Sequence, residues 1–254
     1  MLRFSSLGSG SRGNATLVEA GATCVMIDCG FSVTETKRRL ARLGKAPQDI
    51  RAILVTHEHS DHIGGVAAFA RRFDVPVWMT AGTSVMHDAT SLPCVEWFDG
   101  HTAFALGDLE VTPFPVPHDA REPCQFVFSD GAVRLGVLTD TGSITAHIRA
   151  QLDGCAALLL ECNHDSAMLA NGPYPPSLKQ RVGGRLGHLS NAQAAQLIAS
   201  LDTARLTHLV AAHISEKNNR PELARAALAD ALGCAPDWIG IADQADGLDW
   251  RQVG

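Results

Sequence analysis

The segment Thr56–His62, T-H-E-H-S-D-H, constrains the chain more than any other stretch. It places His57, His59, Asp61 and His62 within six positions, directly after the apolar run Ile53-Leu54-Val55-Thr56, which reads as a buried strand, and just before a helical pattern. Alternate side chains of an extended loop point the same way, so His57 and His59 can converge on one metal ion. Asp61 and His62 start a turn and can serve a second. Imidazole and carboxylate at this density suit zinc, manganese or iron better than calcium or magnesium, which prefer oxygen ligands. Such a loop requires further donors from elsewhere, so the fold must deliver distant strand ends to it.

The 254 residues, 46% of them hydrophobic, are enough for one domain with a sizeable core. The longest strongly apolar run, Ala156–Leu160, stops at Glu161, well short of the roughly 20 residues of a membrane span. The start, M-L-R-F-S-S-L-G-S-G, has no apolar signal core and reads as a strand and a turn. A cytoplasmic protein without a membrane partner is expected. Seven cysteines, an odd number with no C-x-x-C, indicate neither a disulfide framework nor a thiolate zinc ribbon. A formal net charge of −6 argues against coating of nucleic acid by the whole surface, while leaving room for a local basic path.

In chain order, residues 2–7, 14–20 and 23–28 read as strands, and Asp28 ends the third. Its carboxylate either orients a metal ligand from behind or caps the following turn. The Gly/Ser-rich loop 8–14, with Ser11 and Asn14, is either a phosphate cradle or a plain turn. Helices are expected over 33–43, 63–73 and 82–90, with a strand at 76–80 between the last two. Four strand-like runs follow between Val95 and Val137, then a helix from Ser143. The second half repeats this outline: strand 156–160, helix 192–201, strand 206–211, helix 221–232 and a closing strand at 247–251. His87, His101 and His147 have no comparable context and read as surface residues, and His208 as packed or exposed.

Three of these strand ends carry the missing donors. His118, in P-V-P-H-D, stands at a proline-flanked strand end and supplies a third ligand beside His57 and His59. Asp140, in L-G-V-L-T-D-T-G, ends a buried strand where an unpaired carboxylate is costly, and is read as bridging both ions. His213, after L-T-H-L-V-A-A, completes the second ion with Asp61 and His62.

Asp28, the H-x-H-x-D-H series at 57–62 and the single His118, Asp140 and His213 resemble, in order and over essentially the whole chain, the motif series of the metallo-β-lactamase fold. The resemblance implies an α/β (α+β) architecture, an αββα four-layer sandwich of two mixed sheets with helices outside and a dinuclear site at one edge. F-S-S-L-G-S-G-S-R-G-N, L-E-C-N-H-D at 160–165, G-P-Y-P-P-S-L-K-Q-R-V at 172–182, G-H-L-S-N at 187–191 and A-H-I-S-E-K-N-N-R-P-E at 212–222 are similar to the bacterial YycJ/WalJ-like exonuclease group. That similarity implies two zinc or manganese ions and 5′ to 3′ hydrolysis of double-stranded DNA. By position, Glu161 and His188 resemble the pair that protonates the leaving group in the more distant tRNase Z relatives.

The chemistry needs a deprotonated water, with Asp61 placed to orient it, and a proton for the departing sugar oxygen, with His188 held by Glu161 as the acid. His164 is a candidate phosphate contact. Lys179 and Arg181 lie in the long Pro/Gly-broken connection 163–188 and, with Lys217 and Arg220, can form a basic track. Three readings compete: hydrolysis of a small ester, thioester or cyclic phosphodiester on the same scaffold, diiron chemistry, and a non-catalytic scaffold. A diiron site resembles H-x-E-x-D-H, whereas this chain has His59 in the middle, and the full donor set argues against a decayed site.

Overall fold

The computed structural model describes residues 1–86 and 92–254. The first half contains strands β1 (Leu2–Gly8), β2 (Ala15–Ala20) and β3 (Thr23–Ile27), helix α1 (Val33–Arg42), β4 (Ala52–Leu54), the short α2 (Ser60–Ile63), α3 (Val66–Phe73), β5 (Val77–Met79), α4 (Ala81–Met86) and β6 (Val95–Trp97). Then come β7 (Phe104–Leu106), β8 (Leu109–Pro115), β9 (Cys124–Ser129), β10 (Arg134–Leu138), α5 (Ala146–Leu152) and β11 (Ala157–Glu161). The chain continues with α6 (Ser166–Asn171), α7 (Pro176–Val182), α8 (Asn191–Ile198), β12 (His208–Ala212), α9 (Pro221–Leu232), β13 (Gly240–Ile241) and β14 (Leu248–Gln252).

The strands form two seven-stranded sheets, ordered β14-β1-β2-β3-β4-β5-β6 and β13-β12-β11-β10-β9-β8-β7. Both are mixed. In the first, β14 to β3 pair antiparallel and β3 to β6 parallel; in the second, β7 to β10 pair antiparallel and β10 to β13 parallel. Alternation along the strands separates three cores. Phe4, Val25, Leu54, Phe126, Val137 and Leu159 meet between the sheets. Met26 and Ile53 face outward onto Leu40 and Phe69 of α1 and α3. Leu158 and Leu160 face outward onto Ile148, Leu197 and Leu228 of α5, α8 and α9. Strands buried on both faces explain why 156–160 reads as a continuous apolar run, and the three cores make four layers, the expected αββα sandwich.

Several local expectations change. The region 95–137 holds five strands, because the short β7 makes its own hairpin with β8 around Gly107. The helix expected from Ser143 begins at Ala146, where the Thr145 side chain accepts from Ile148 N and caps it. The connection 163–188 is folded into α6 and α7. The remainder of the helix expected over 82–90, with His87, lies outside the described residues. His101 and His147 are exposed, and His208 Nε2 lies 2.9 Å from the Gln252 carbonyl oxygen. Among the described residues, no helix is long and apolar enough to cross a membrane.

Candidate metal centre

Parallel strands end together, and here they end at one edge of the sandwich. Asp28 follows β3, the 57–62 segment follows β4, Asp140 follows β10, Glu161 closes β11 and His213 follows β12. Three of these residues leave their strands with left-handed backbone: Asp28 at φ 58°, Asp140 at φ 51° and His213 at φ 50°. Such angles are uncommon outside glycine and concentrate where a site over-determines the backbone. The turn at Asp28 also brings Gly30 so near the Asp61 carbonyl that a β-carbon there would collide with it. Cys29 N donates to His62 O at 2.8 Å and Asn14 N to Asp61 O at 2.7 Å, fixing the donor loop from behind.

The donor atoms cluster in four overlapping groups: His57, His59 and His118; Asp61, His62 and His213; His57, His62 and Asp140; and Asp140, Glu161, His188 and His213. His62 Nε2 is 3.2 Å from Asp140 Oδ2 and 3.6 Å from Asp61 Oδ2. His213 lies 3.1 Å from Asp140 through Nδ1 and 3.6 Å from Asp61 through Nε2. His118 Nε2 is 3.3 Å from His59 Nδ1, and its Nδ1 is 2.9 Å from the Gly187 carbonyl oxygen, to which it donates. Asp28 settles into the orienting role: its Oδ2 accepts from His62 Nδ1 at 2.7 Å and from Thr56 Oγ at 2.9 Å, which turns His62 Nε2 toward the cluster.

The set fits a divalent cation on its own geometry. His57 Nε2, Asp140 Oδ2 and His213 Nδ1 are buried without a hydrogen-bond partner, an arrangement that is costly unless something else engages them. Burial opposes protonation of His62 and His213, yet the carboxylates around them, Asp140 with Asp28 at His62 and Asp140 with Asp61 and Glu161 at His213, together outweigh it and hold both well above the ordinary imidazole range. Burial would push Asp140 up, but His213 and His62 hold it well below the usual carboxylate range. Burial drives His57 well down, leaving it a neutral donor. Protonated imidazoles facing buried carboxylates mark where a cation can replace protons.

Glu161 is wholly buried behind the cluster. Its Oε2 accepts from Thr141 N at 3.1 Å and Leu189 N at 3.0 Å, and its Oε1 accepts from His188 Nδ1 at 2.7 Å. Burial opposes its ionisation, but His188 and His213 together outweigh it and keep the carboxyl below its usual range. Ser190 caps α8 with Gln193 in a reciprocal capping box, so His188 is free of that task.

A cleft of about 350 Å³ opens onto this cluster, lined by Ser11, Asp61, Asp140, His188 and His213 on the donor side and by Tyr174, Leu178, Arg181 and Val182 of the α7 region. Of the expected substrate contacts, Ser11 and Arg181 reach it and three others do not. Asn14 is buried, and its amide lies 3.3 Å from Asp61 Oδ2 and 3.1 Å from His62 Nε2, so it supports these donors rather than facing a substrate. His164 is 4% exposed, packed beneath the α8 start with its carbonyl accepting from Asn191 N. Lys179 turns away and donates to the Ala170 carbonyl at 2.7 Å. Helical phase decides that last difference: Leu178 and Arg181 share one face of α7 and Lys179 another. Asp119, unremarked in the sequence, also lines the cleft, with Oδ1 3.5 Å from His118 Nε2 and Oδ2 accepting from Arg181 Nε at 2.5 Å. Its only signal is its place directly after His118.

A four-layer αββα sandwich with its His/Asp cluster at the ends of parallel strands defines a class, and residues 23–214 match the beta-lactamase superfamily domain. The chain belongs to that family, and it is a metal-dependent hydrolase. Among its relatives, the exodeoxyribonuclease YycJ of Bacillus anthracis is 36% identical over 235 residues, covering 91% of this chain and 89% of that protein. The exodeoxyribonuclease WalJ of Streptococcus pneumoniae serotype 2 is 32% identical over 245 residues, covering 94% and 91%. In fold, the metallo-beta-lactamase fold protein YhfI from Bacillus subtilis superimposes with a TM-score of 0.76 over 99% of this chain and 100% of that one, at 13% identity.

Proposed function

We propose that this protein is a dinuclear-metal phosphodiesterase acting as a 5′ to 3′ exonuclease on double-stranded DNA. His57, His59 and His118 would hold one ion, and Asp61, His62 and His213, with Asp140 beside both groups, would hold the other. Zinc and manganese both suit these nitrogen and oxygen donors. Bound there, the ions make water more acidic and neutralise charge developing on the phosphoryl oxygens.

The protein's own groups carry the rest. Asp61, with Asn14 at its side, is the partly exposed carboxylate of the cluster and orients the attacking water. His188, also partly exposed to the cleft, donates its Nε2 proton to the departing 3′ oxygen, while Glu161 accepts from Nδ1 and fixes the ring. A sugar alkoxide is a poor leaving group, so this proton governs turnover. Arg181, extending into the cleft, pairs with the phosphate.

The observation that carries the reading is the Glu161–His188 contact at 2.7 Å, placed against the donor cluster with His188 Nδ1 3.6 Å from Asp140 Oδ1. The names of the relatives support DNA as substrate. The test is incubation with end-labelled duplex DNA, single-stranded DNA and RNA in zinc or manganese, with products sized on a gel. Mononucleotides released from the 5′ end of the duplex are the expected result. Hydrolysis confined to a small ester overturns it.

A further inference from the structure

Helix α7 is built unlike the other helices around this core, since none of its residues is buried. A helix in a globular protein ordinarily turns its apolar stripe onto the core. Here Leu178 and Val182, four residues apart, line the metal cleft instead, joined by Tyr174 from the turn that precedes the helix. Tyr174 is the one tyrosine of the chain, and its hydroxyl has no hydrogen-bond partner among the described residues. The Lys217 ammonium lies 6.0 Å from its ring centroid.

Arg181 belongs to the same wall. Only its Nε is engaged within the protein, by Asp119 Oδ2, so its terminal nitrogens remain for a ligand among the described residues. The other Asp119 oxygen faces His118 and His59 at 3.5 and 3.8 Å, which ties the guanidinium to the donor loop. One wall therefore offers a flat ring, two aliphatic side chains and a braced cation, opposite His188 and the carboxylates.

The cleft volume of about 350 Å³ is that of a small-ligand pocket, far too little for the width of a duplex. A base that enters must leave its stack, and it then needs another surface to replace its lost neighbour. We infer that the α7 wall receives the terminal nucleotide of the strand being cut: Tyr174 stacks on the base, Leu178 and Val182 close the apolar side, and Arg181, positioned by Asp119, takes the phosphate. This rests on the nuclease reading above. Stacking reads no base-edge pattern, so every base is accepted, and the requirement for an unstacked end is what makes the enzyme an exonuclease.

The test uses the metal-loaded full chain and two duplexes that differ only in whether the 5′-terminal residue carries a base or is abasic. Wild-type protein should show a KM roughly tenfold lower for the base-bearing end. Tyr174→Ala should abolish that difference by raising KM for the base-bearing end toward that for the abasic end, and Tyr174→Trp should restore it. In parallel, a terminal 2-aminopurine should lose fluorescence on binding metal-loaded His188→Ala protein, and keep it when Tyr174→Ala is added. Equal KM values for the two ends in wild type, or a preference that survives Tyr174→Ala, overturns the inference while the nuclease reading stands. Failure of wild type to bind or cut either duplex removes the nuclease reading itself.

Discussion

Asp28 Oδ2 accepts a hydrogen bond from His62 Nδ1 at 2.7 Å, so the only ring nitrogen of His62 left to face Asp140 and Asp61 is Nε2. The same carboxylate accepts from Thr56 N at 2.8 Å, which locks the loop to the strand before it. Asp28→Asn keeps a side chain that tolerates the left-handed backbone at φ 58° but removes the charge. Metal affinity, measured by competition with a chromogenic chelator, should fall by roughly 10- to 100-fold. Unchanged affinity would show that Asp28 only closes the turn.

His188 contacts Glu161 and lines the cleft, and the proposed mechanism gives it a proton rather than a metal. His188→Ala should lower kcat by roughly 10²- to 10⁴-fold with the bound metal unchanged by elemental analysis. If the metal is lost together with activity, the residue is a ligand and the acid must be sought elsewhere.

Arg181 and Lys179 lie two residues apart in α7 but point to different partners, Asp119 and the Ala170 carbonyl. Arg181→Ala should weaken DNA binding and reduce the slope of log K against log salt by about 1, whereas Lys179→Ala should leave that slope in place. Arg181→Lys should not rescue, because an ammonium cannot hold Asp119 and a phosphate in the same planar fork. Equal effects of the two alanine variants would mean that the basic track acts as diffuse charge.

Removal of the metal with a chelator should abolish hydrolysis and lower the thermal midpoint, since the buried donors of His57, Asp140 and His213 lose the group that engages them. Titrating zinc or manganese back should restore both at about two ions per chain. Full activity in metal-free protein would end the scheme.

A pH effect away from the site follows from Glu19. Burial alone would raise its pKa, but hydrogen bonds from Lys45 and Arg3 outweigh this and set it below the ordinary 4.5. A depressed folded pKa means stabilisation that is present above the unfolded value and lost as pH falls through the folded one. Glu19→Gln should therefore lower urea stability at pH 7 by about 1 kcal/mol, and the two proteins should converge as the pH drops below 4.5. Parallel curves down to the acid limb would show that the pair contributes nothing through charge.

Strand and helix order was legible in the residues, because apolar alternation, helix periodicity and turn residues are local signals. Elements without a clear local period were not: β7 and β13 exist through pairing with β8 and β12, and α6 and α7 are short helices within a connection that Pro and Gly break. The donors were legible because each stands at the end of an apolar run. Where Asn14, His164 and Lys179 point was not legible, because a polar side chain near a motif reads the same whether it faces the cleft, supports a neighbouring donor or bonds a carbonyl.

The sequence by itself presented the T-H-E-H-S-D-H loop and the strand-end candidates His118, Asp140 and His213, and the family resemblance pointed to Glu161 with His188. The tertiary structure decided which side of each residue is used: Asp28 against His62, Asp119 against Arg181, and Tyr174 and Leu178 turned into the cleft. The reason is physical. Residue type and spacing record which donors are available, whereas orientation depends on two sheets ending at a common edge and on a helix whose face is set by contacts far away in the chain.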